Sequence, residues 1–504
     1  MEIELKLGLH SQHVSLVKEA PLFRKNKAQQ QRLRSIYFDT DAFQLKRRGI
    51  ALRVRRVGKQ WIQTLKAEGK STGSLTHRPE WEAVVNQGRH PDFSVLPTEA
   101  LELLKGIELQ QIIPVFTTEF KRSIWLLKNE GNQAEVALDI GKITAGNLQR
   151  EICEVEFELK SGSAEFLFEL AERLLQHVPL FIEPRNKAAR GYLLIDAEKA
   201  KPIKAISLKF SLNQSINDIY CIIIGAALTQ LLANIPGYFE HIEDPEYLHQ
   251  IRVALRRIRA GASLLQSIGQ PLPSWNKALR KLMQTLNDAR DWDVFEQEVL
   301  PDILEKTKHL SEESIDPAIT MCIQNEVIAI RQRTQKKFHK TEFTALILAI
   351  ERHLFTLSKA SGEVATLGLN TQQWAIKTLE ERWQELHRCC QGLMVQTAAE
   401  RHHARIAAKK MRYAADALFS LFDDQTAKRF IEMLANLQDE LGYTNDRRVA
   451  QQLVQQLAQT NQSFAFDLGR ISYALQIETL QQEKQPSKSW RSLSRMKLFW
   501  RENC

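Results

Sequence analysis

Apolar and polar residues alternate in short runs over roughly the first 195 residues of the chain, and Gly, Pro, Asn and Asp separate the runs. A period of two is typical of β-strands, and the separating residues are typical of turns. Because the runs follow one another closely, we expect the strands to pair antiparallel. Helical spacing at 164–177 adds a helix, so this region predicts an α+β fold. The alternating runs lie at 2–7, 51–57, 61–66, 81–85, 120–126, 134–140 and 153–159.

From about residue 217 to 480 the apolar spacing changes to i, i+3, i+4, i+7, which predicts an all-α helical bundle. The longest apolar stretch, 221–235, contains Gln230 and Asn234 and is shorter than a bilayer span, so we expect a buried helix and no membrane span. A basic stretch broken by Pro202 starts the linker, and a basic tail ends the chain. We expect the tail to fray, and a segment that lies on a membrane surface is the alternative. The predicted parts are a mixed domain at 1–200, a linker at 201–216, a helical domain at 217–484 and a tail at 485–504.

Length, charge and cysteine spacing narrow the class of protein. A chain of 504 residues exceeds one ordinary core and predicts two or three domains. The net charge of +9 and the pI of about 9.1 favour a polyanionic partner. Six cysteines without CxxC spacing predict neither a zinc site nor a disulfide framework. The opening residues lack the apolar core of a signal peptide, so we expect a cytoplasmic protein with reduced thiols.

Charged residues share one face of several predicted strands. On the first strand Glu2, Glu4 and Lys6 point one way, and Ile3 and Leu5 point the other. The other strands carry Arg53, Arg55, Lys66, Arg78, Glu80, Glu82, Arg122, Asp139, Glu154, Glu156 and Glu158. One such strand is usually only a solvated face. Carboxylates clustered on some strands and cations on others favour a site for a metal and a phosphate chain, since Mg²⁺ and Mn²⁺ prefer oxygen ligands and Arg and Lys bind phosphate.

These residues resemble the CYTH, or triphosphate tunnel metalloenzyme, family. The first five residues after Met1, Glu-Ile-Glu-Leu-Lys, match its ExExK signature. The resemblance covers about the first 195 residues. Its further motifs, in order, lie at 37–40, 52–55, 63–66, 78–82, 154–158 and 187–192.

The resemblance implies an eight-stranded antiparallel β-barrel around a hydrophilic tunnel, with flanking helices, that hydrolyses triphosphates with Mg²⁺ or Mn²⁺. The implied mechanism is in-line attack of water on a terminal phosphorus. The implied catalytic residues are Lys6, Arg53, Arg55 and Lys66, and the implied substrate-binding residues are these four with Arg78, Arg122 and Lys187. The implied metal ligands are Glu2, Glu4, Asp139, Glu154 and Glu156, with Glu158 as an alternative because the register of the glutamate run is ambiguous.

The helical half contains the same pair of motifs twice. The segment 249–259 recurs at 402–412, and the segment 286–294 recurs at 441–449. The offsets, 402 minus 249 and 441 minus 286, are 153 and 155 residues, so they indicate an internal duplication. At about 100° per residue, the cations of the first copy fall within an arc of roughly 80° on one helix. The two cationic stripes are His249, Arg252, Arg256 and Arg259, and His402, Arg405, Lys409 and Arg412.

This half resembles the CHAD domain, an α-helical module with conserved histidines. The resemblance covers about residues 217 to 480 and implies that both stripes bind inorganic polyphosphate. A solvated basic face is the alternative for either helix alone. A metal site is the alternative for His249 and His402, and the arginine three residues after each argues against it.

We therefore expect an inorganic triphosphatase that converts tripolyphosphate to pyrophosphate and phosphate, with a helical domain that binds polyphosphate. The alternatives are a thiamine triphosphatase or other organic triphosphate hydrolase, and a non-catalytic polyphosphate-binding protein. We expect neither a specific nucleic acid as a partner nor a membrane span. The sequence leaves the oligomeric state open.

Overall fold

The computed structural model describes residues 2–67, 70–72, 75–195, 201–307, 315–359, 368–391, 398–422, 424–483 and 487–501, and it leaves out the side chains of 2, 70–72, 75–78, 398, 424 and 483. The chain forms two compact units. The sheet unit comprises Met1–Lys201 and Lys337–Thr356, and the helical unit comprises Pro202–Lys336 and Leu357–Cys504.

The sheet unit is built on one antiparallel sheet. Its strands are β1 Glu2–Leu9, β2 Gln29–Asp39, β3 Ala51–Val57, β4 Gln60–Lys66, β5 Lys70–Thr72, β6 Leu75–Arg78, β7 Glu80–Val85, β8 Ile113–Asn129, β9 Asn132–Ala145, β10 Leu148–Ser161 and β11 Leu180–Phe181. The strand order is β5-β6-β1-β10-β9-β8-β2-β3-β4-β7, and β11 pairs with β1. The antiparallel pairing agrees with the sequence prediction.

The two ends of this sheet meet at Pro79. The strands on either side of it, β6 and β7, pair with β1 and β4 respectively. Proline has no N–H to donate to a ladder, so it breaks the run, while its carbonyl accepts the Ala67 N–H at 3.2 Å. If β6 and β7 are counted as one bent strand, the described sheet has eight main strands and returns to itself, with β5 and β11 as short additions.

Alternation along the strands separates a core face from a charged face. Leu52 and Val54 are fully buried in the apolar core, and Arg53 between them lines a cavity. Val155 and Phe157 are likewise fully buried on either side of Glu156, which lines the same cavity. The period of two thus produces an apolar shell around a charged interior.

The helices are α1 Val14–Glu19, α2 Gln44–Arg47, α3 Thr98–Leu103, α4 Glu165–Leu175, α5 Lys187–Ile195, α6 Ile216–Glu240, α7 Pro245–Ala262, α8 Asn276–Thr285, α9 Asn287–Val294, α10 Leu300–Thr307, α11 Ala318–Phe338, α12 Thr341–Lys359, α13 Thr371–Cys390, α14 Ala398–Leu418, α15 Asp424–Thr460, α16 Ala465–Glu483 and α17 Lys488–Leu493. A π-helical turn, Phe295–Val299, joins α9 to α10. The second half of the chain is mostly helical, as its periodicity predicts.

Helix α12 packs within the sheet unit, although the sequence places it among the helices of the second half. Arg352 pairs with Glu172 of α4 at 3.0 Å, and Phe355 contacts Phe168 with ring centroids 6.1 Å apart. The Thr344 hydroxyl donates to the Leu180 carbonyl at 2.8 Å. The apolar period of this helix does not specify which partner it covers, so sequence alone could not assign it.

Helix α6 is long and apolar enough to cross a membrane, but 72% of its most apolar window is buried. The tail also differs from the expected frayed terminus. Phe499 and Trp500 are buried, and the Trp500 ring lies 5.2 Å from that of Phe430. The Trp500 indole N–H donates to Glu380 at 3.0 Å. Aromatic residues close to the end of the chain therefore anchor the tail within the helical unit.

Candidate active site

A cavity of about 240 Å³ in the sheet unit is lined mostly by charged side chains. They come from β1, β3, β4, β7, β8, β10 and the start of α5. The described lining residues are Glu4, Tyr37, Ala51, Arg53, Arg55, Lys66, Glu80, Glu82, Arg122, Glu156, Glu158, Lys160, Asn186, Lys187 and Ala188. Both signs of charge face one small volume, which suits a charged ligand and excludes a purely apolar one.

Three carboxylates, Asp139, Glu154 and Glu156, meet at one side of this cavity, and we call them the acidic triad. Each offers an oxygen within 4.8 Å of the others. Asp139 lies opposite Glu154 across the β9–β10 ladder, and Glu156 follows two positions later on the same face. Asp139 and Glu154 are fully buried, so their charges require partners.

Lys187 and Arg122 supply positive charge to the triad. The Lys187 ammonium lies 2.7 Å from Asp139 and 2.8 Å from Glu156, and it also contacts Glu154. Arg122 donates to both oxygens of Asp139 at 2.7 Å and contacts Glu156. The β8–β9 register places Arg122 directly opposite Asp139, which explains the bidentate geometry.

Contacts within this network shift the pKa values of Glu156 and Lys187. Burial alone would raise the pKa of Glu156, but Lys187 and Arg122 outweigh it and hold the pKa well below its usual range. Burial would lower the pKa of Lys187, and Asp139, Glu154 and Glu156 raise it instead. Glu156 and Lys187 are therefore both charged at neutral pH.

Arg190 is a site residue that the sequence analysis missed. It is 4% exposed, and its guanidinium contacts the Glu154 oxygen that Lys187 does not use. Its position three residues after Lys187, on the same face of α5, is the signal that could have revealed it.

The opposite wall pairs its charges more loosely. Lys66 lies 3.0 Å from Glu80, and Arg53 lies 3.8 Å from the same carboxylate. The Thr64 hydroxyl donates to Glu82 at 3.0 Å. This wall presents cations and carboxylates at the cavity surface.

Tyr37 also lines the cavity, and the sequence analysis gave it no role. Burial would raise its pKa, but Arg53 and Arg55 outweigh burial and lower it. Burial and the neighbouring Arg53 lower the pKa of Arg55 to about 10, and its Nε donates to the Ser35 hydroxyl at 3.1 Å. Three basic or phenolic groups thus converge on one region of the wall.

Other predicted residues lie differently. The Lys6 ammonium donates to the Arg185 carbonyl, and burial lowers its pKa. Lys6 does not line the described cavity, whereas Glu4 does. The predicted residues Glu2 and Arg78 have side chains outside the described part of the structure.

Asp39 and Tyr192, both within the family motifs, have structural roles. Asp39 is fully buried and accepts hydrogen bonds from the N–H groups of Thr40, Leu45 and Lys46. The Tyr192 hydroxyl donates to the same carboxylate at 2.7 Å. These bonds fix the start of α2 and join α5 to the end of β2, so both residues stabilise the fold.

In the helical unit, the two cationic stripes come together because α7 packs beside α14. Arg256 donates to the Tyr413 hydroxyl at 2.8 Å, and Arg257 pairs with Asp416 at 3.1 Å. Arg290 of α9, which the stripes do not include, pairs with Asp291 and Asp446 at 2.9 Å each. We define the cationic cluster as Arg252, Arg256, Arg290, Arg405 and Lys409.

Burial and neighbouring cations lower the pKa values of two residues in the cationic cluster. Burial, with Arg405, Arg256 and Arg290, lowers the pKa of Lys409 to about 7. Burial, with Arg256 and Arg290, lowers the pKa of Arg252 to about 10. A cluster that disfavours its own charge gains free energy when an anion binds.

The remaining stripe residues lie at the margins. His249 and His402 are exposed over much of their surface, and desolvation of the remaining part, together with nearby cations, lowers the pKa of each. Arg259 is exposed beside Arg280, and Arg412 lies 5.0 Å from the Tyr413 ring centroid. Among the described residues, neither histidine belongs to a group with metal-ligand geometry.

Residues 1–192 match the CYTH domain and residues 222–455 match the CHAD domain. This chain carries a CYTH domain followed by a CHAD domain. The sheet unit contains the whole CYTH match, and the acidic triad and its cations belong to it. The cationic cluster belongs to the CHAD domain.

An inorganic triphosphatase from Haemophilus influenzae is 34% identical to this chain over 194 residues, which are 38% of this chain and 54% of that protein. The chain therefore spans about half the length of that curated relative. The CHAD domain of Ricinus communis aligns with 59% of this chain and 98% of its own at 24% identity, with a TM-score of 0.51 that shows a shared helical fold. A Hippeastrum protein with a dominant triphosphatase activity aligns with 38% of this chain and 96% of its own at 18% identity, and the TM-score of 0.29 is too low to establish a shared fold.

Proposed function

We propose that the CYTH domain hydrolyses inorganic tripolyphosphate to pyrophosphate and phosphate. The observation that carries this proposal is the charged cavity of about 240 Å³, with an acidic triad beside Arg122 and Lys187 and the cations Arg53, Arg55 and Lys66 around it. Tyr37 is the aromatic residue among the described lining, so the cavity offers little for a nucleobase or thiamine ring to stack on. The identity to an inorganic triphosphatase supports the same substrate class.

A divalent cation fits the donor set of the triad. Asp139, Glu154 and Glu156 offer carboxylate oxygens within 4.8 Å of one another, and hard oxygen donors suit Mg²⁺ or Mn²⁺. Glu4 and Glu158, opposite each other on β1 and β10, add further oxygens from the cavity wall. When bound, the metal would neutralise charge on the phosphate oxygens.

The chain's own residues supply the remaining chemistry. Arg53, Arg55 and Arg122 bind phosphate oxygens with fixed guanidinium geometry, and Lys66 adds a point charge. Strands β3 and β4 set the positions of Arg53, Arg55 and Lys66, so these three cations stabilise the additional charge of the transition state with little reorganisation. Attack by water in line with the leaving pyrophosphate completes the reaction. From the family resemblance, Lys6 and Arg78 are also proposed to bind the phosphate chain, and Glu2 is proposed to bind the metal.

A phosphate-release screen tests this proposal. The full chain, supplied with Mg²⁺ or Mn²⁺, is expected to prefer tripolyphosphate over thiamine triphosphate, ATP and long-chain polyphosphate. Full activity in EDTA would exclude the metal. Preference for thiamine triphosphate would favour the organic alternative, and inactivity on all four would favour a non-catalytic binding protein.

For the CHAD domain we propose binding of inorganic polyphosphate in the cytoplasm through His249, Arg252, Arg256, Arg259, His402, Arg405, Lys409 and Arg412. The excess of positive charge in the cationic cluster supports it. A flexible polyanion needs many charge contacts, so affinity should fall steeply with added salt as counterion release weakens. Short DNA of equal charge is the control, and equal affinity for DNA would show a merely basic surface.

A further inference from the structure

Every oxygen of the acidic triad already has a cationic partner from the same chain. Arg122 contacts both oxygens of Asp139 and one of Glu156. Arg190 contacts the second oxygen of Glu154. Lys187 contacts one oxygen of each of the three carboxylates. Three negative and three positive groups therefore form a closed, neutral network.

Lys187 has the central place in this network. Its ammonium contacts the three carboxylates that would converge on a metal ion, and it is 7% exposed. A divalent cation needs the same oxygens and repels the ammonium, so both cannot hold these positions together. The triad fits a metal only after Lys187 has moved.

The position of Lys187 in α5 permits that movement. It is the first residue of the helix, and the preceding Asn186 side chain accepts the Ala189 N–H at 2.8 Å. The helix start is therefore capped without Lys187. A cation in the first helical turn also opposes the helix dipole, so the helix itself gains nothing from this ammonium. Rotation of the side chain alone leaves α5 intact, and Lys187 lines the cavity into which it would turn.

We propose that the Lys187 ammonium occupies the metal position of the free protein and exchanges with the divalent cation when the triphosphate enters, so that Lys187 passes from the carboxylates to the phosphate chain. This inference rests on the proposed function. It makes metal and substrate binding mutually supportive, because the substrate offers the displaced ammonium a new anionic partner. Metal binding without substrate is then weak, although the donor set is complete.

Metal affinity without turnover tests the exchange. Mn²⁺ binding to the full chain is measured by electron paramagnetic resonance, with and without an imido-bridged tripolyphosphate that resists hydrolysis. In the native chain the analogue is expected to raise Mn²⁺ affinity about tenfold or more, since it releases the competing ammonium. Lys187→Met is expected to bind Mn²⁺ about tenfold more tightly than the native chain without the analogue, and to gain less when the analogue is added.

The matched control is Lys121→Met, which removes an exposed cation of β8 that does not belong to the described cavity lining and that neighbours Arg122 in the sequence. Its Mn²⁺ affinity should stay within about twofold of native. Lys187→Gln serves if the methionine variant does not fold, and thermal unfolding with and without Mn²⁺ reports folding. Native-like Mn²⁺ affinity in a folded Lys187 variant would overturn the exchange. If the native chain still hydrolyses tripolyphosphate, the proposed function survives that result, whereas absence of both hydrolysis and Mn²⁺ binding would reject the function itself.

Discussion

The two charged centres of this chain balance their charge differently. In the CYTH domain, the acidic triad faces three cations, and each of its oxygens is in contact with one of them. In the CHAD domain, the five cations of the cationic cluster share two described carboxylates in ion pairs, Asp291 and Asp446. One centre is neutral and closed, and the other keeps a surplus of positive charge.

This difference predicts two modes of anion recognition. A ligand of the closed centre must replace contacts that already exist, so affinity depends on matching their geometry. A ligand of the cationic cluster relieves repulsion among its cations, so binding of any flexible polyanion of sufficient charge is favourable there. The geometry of a ligand therefore determines its affinity for the acidic triad and its cations, and the charge density of a ligand determines its affinity for the cationic cluster.

The largest effect is expected from removing one cavity carboxylate. Glu4 is 9% exposed and lines the cavity, so Glu4→Ala should lower tripolyphosphate turnover by about a thousandfold, comparable to the loss of one preorganised catalytic contact. Polyphosphate binding should not change. The control is Glu151→Ala, an exposed carboxylate of β10. Near-native turnover by Glu4→Ala would mean that the acidic wall lies elsewhere.

The second-largest effect is expected from reversing charge in the cationic cluster. Arg256→Glu combined with Lys409→Glu should weaken polyphosphate binding about a hundredfold, because each reversal replaces an attractive contact by a repulsive one. Tripolyphosphate hydrolysis should persist. Arg388→Glu with Arg429→Glu changes net charge equally at exposed positions and should have little effect. If both pairs lose affinity alike, total charge and not the cluster binds the polyanion.

The pH dependence of binding gives a smaller effect. Because the pKa of Lys409 is lowered to about 7 in the free domain, binding of an anion above that pH requires proton uptake. Polyphosphate affinity should fall by up to about tenfold per unit as pH rises above 7. Lys409→Arg, which stays charged, should flatten the profile. The unfolded chain binds this proton more readily, so the stability of the domain should also rise with pH above 7.

The smallest effect concerns the link between the two stripes. Tyr413→Phe removes the acceptor of Arg256 but leaves every cation in place. Losing one hydrogen bond of about 1 kcal/mol should reduce polyphosphate affinity by roughly fivefold. Isothermal titration calorimetry measures this change. A loss of polyphosphate affinity as large as that of the Arg256→Glu, Lys409→Glu double variant would show that ligand geometry also matters in the cationic cluster.

The local sequence pattern predicts much of the fold, because the periodicity of strands and helices depends on the backbone geometry of a few neighbouring residues. The period of two places Arg53 opposite Leu52 and Val54 on β3, and the structure has the same arrangement. Helical periodicity likewise predicts that each cationic stripe lies on one helix, α7 or α14. Both predictions depend only on backbone geometry over a few residues.

Long-range contacts could not be predicted in this way. Arg290 reaches Asp446 across the duplication, 156 residues along the chain (446 minus 290). Lys187 resembles any phosphate-binding lysine in sequence, and its contact with three carboxylates appears only after β9, β10 and α5 have packed together. The docked tail depends on where Phe430 lies. Each contact is decided by tertiary packing and not by residue spacing.

The membership of α12 in the sheet unit has a consequence for biosynthesis. The ribosome completes residues 1–201 first, but the last segment of this unit ends at residue 356, which is 155 residues later (356 minus 201). Until then Phe168 and the Leu180 carbonyl lack the partners that α12 supplies. Part of the surface of the sheet unit therefore stays uncovered while much of the other unit is synthesised. A gene fragment that ends at residue 201 would lack α12, so this surface would stay uncovered.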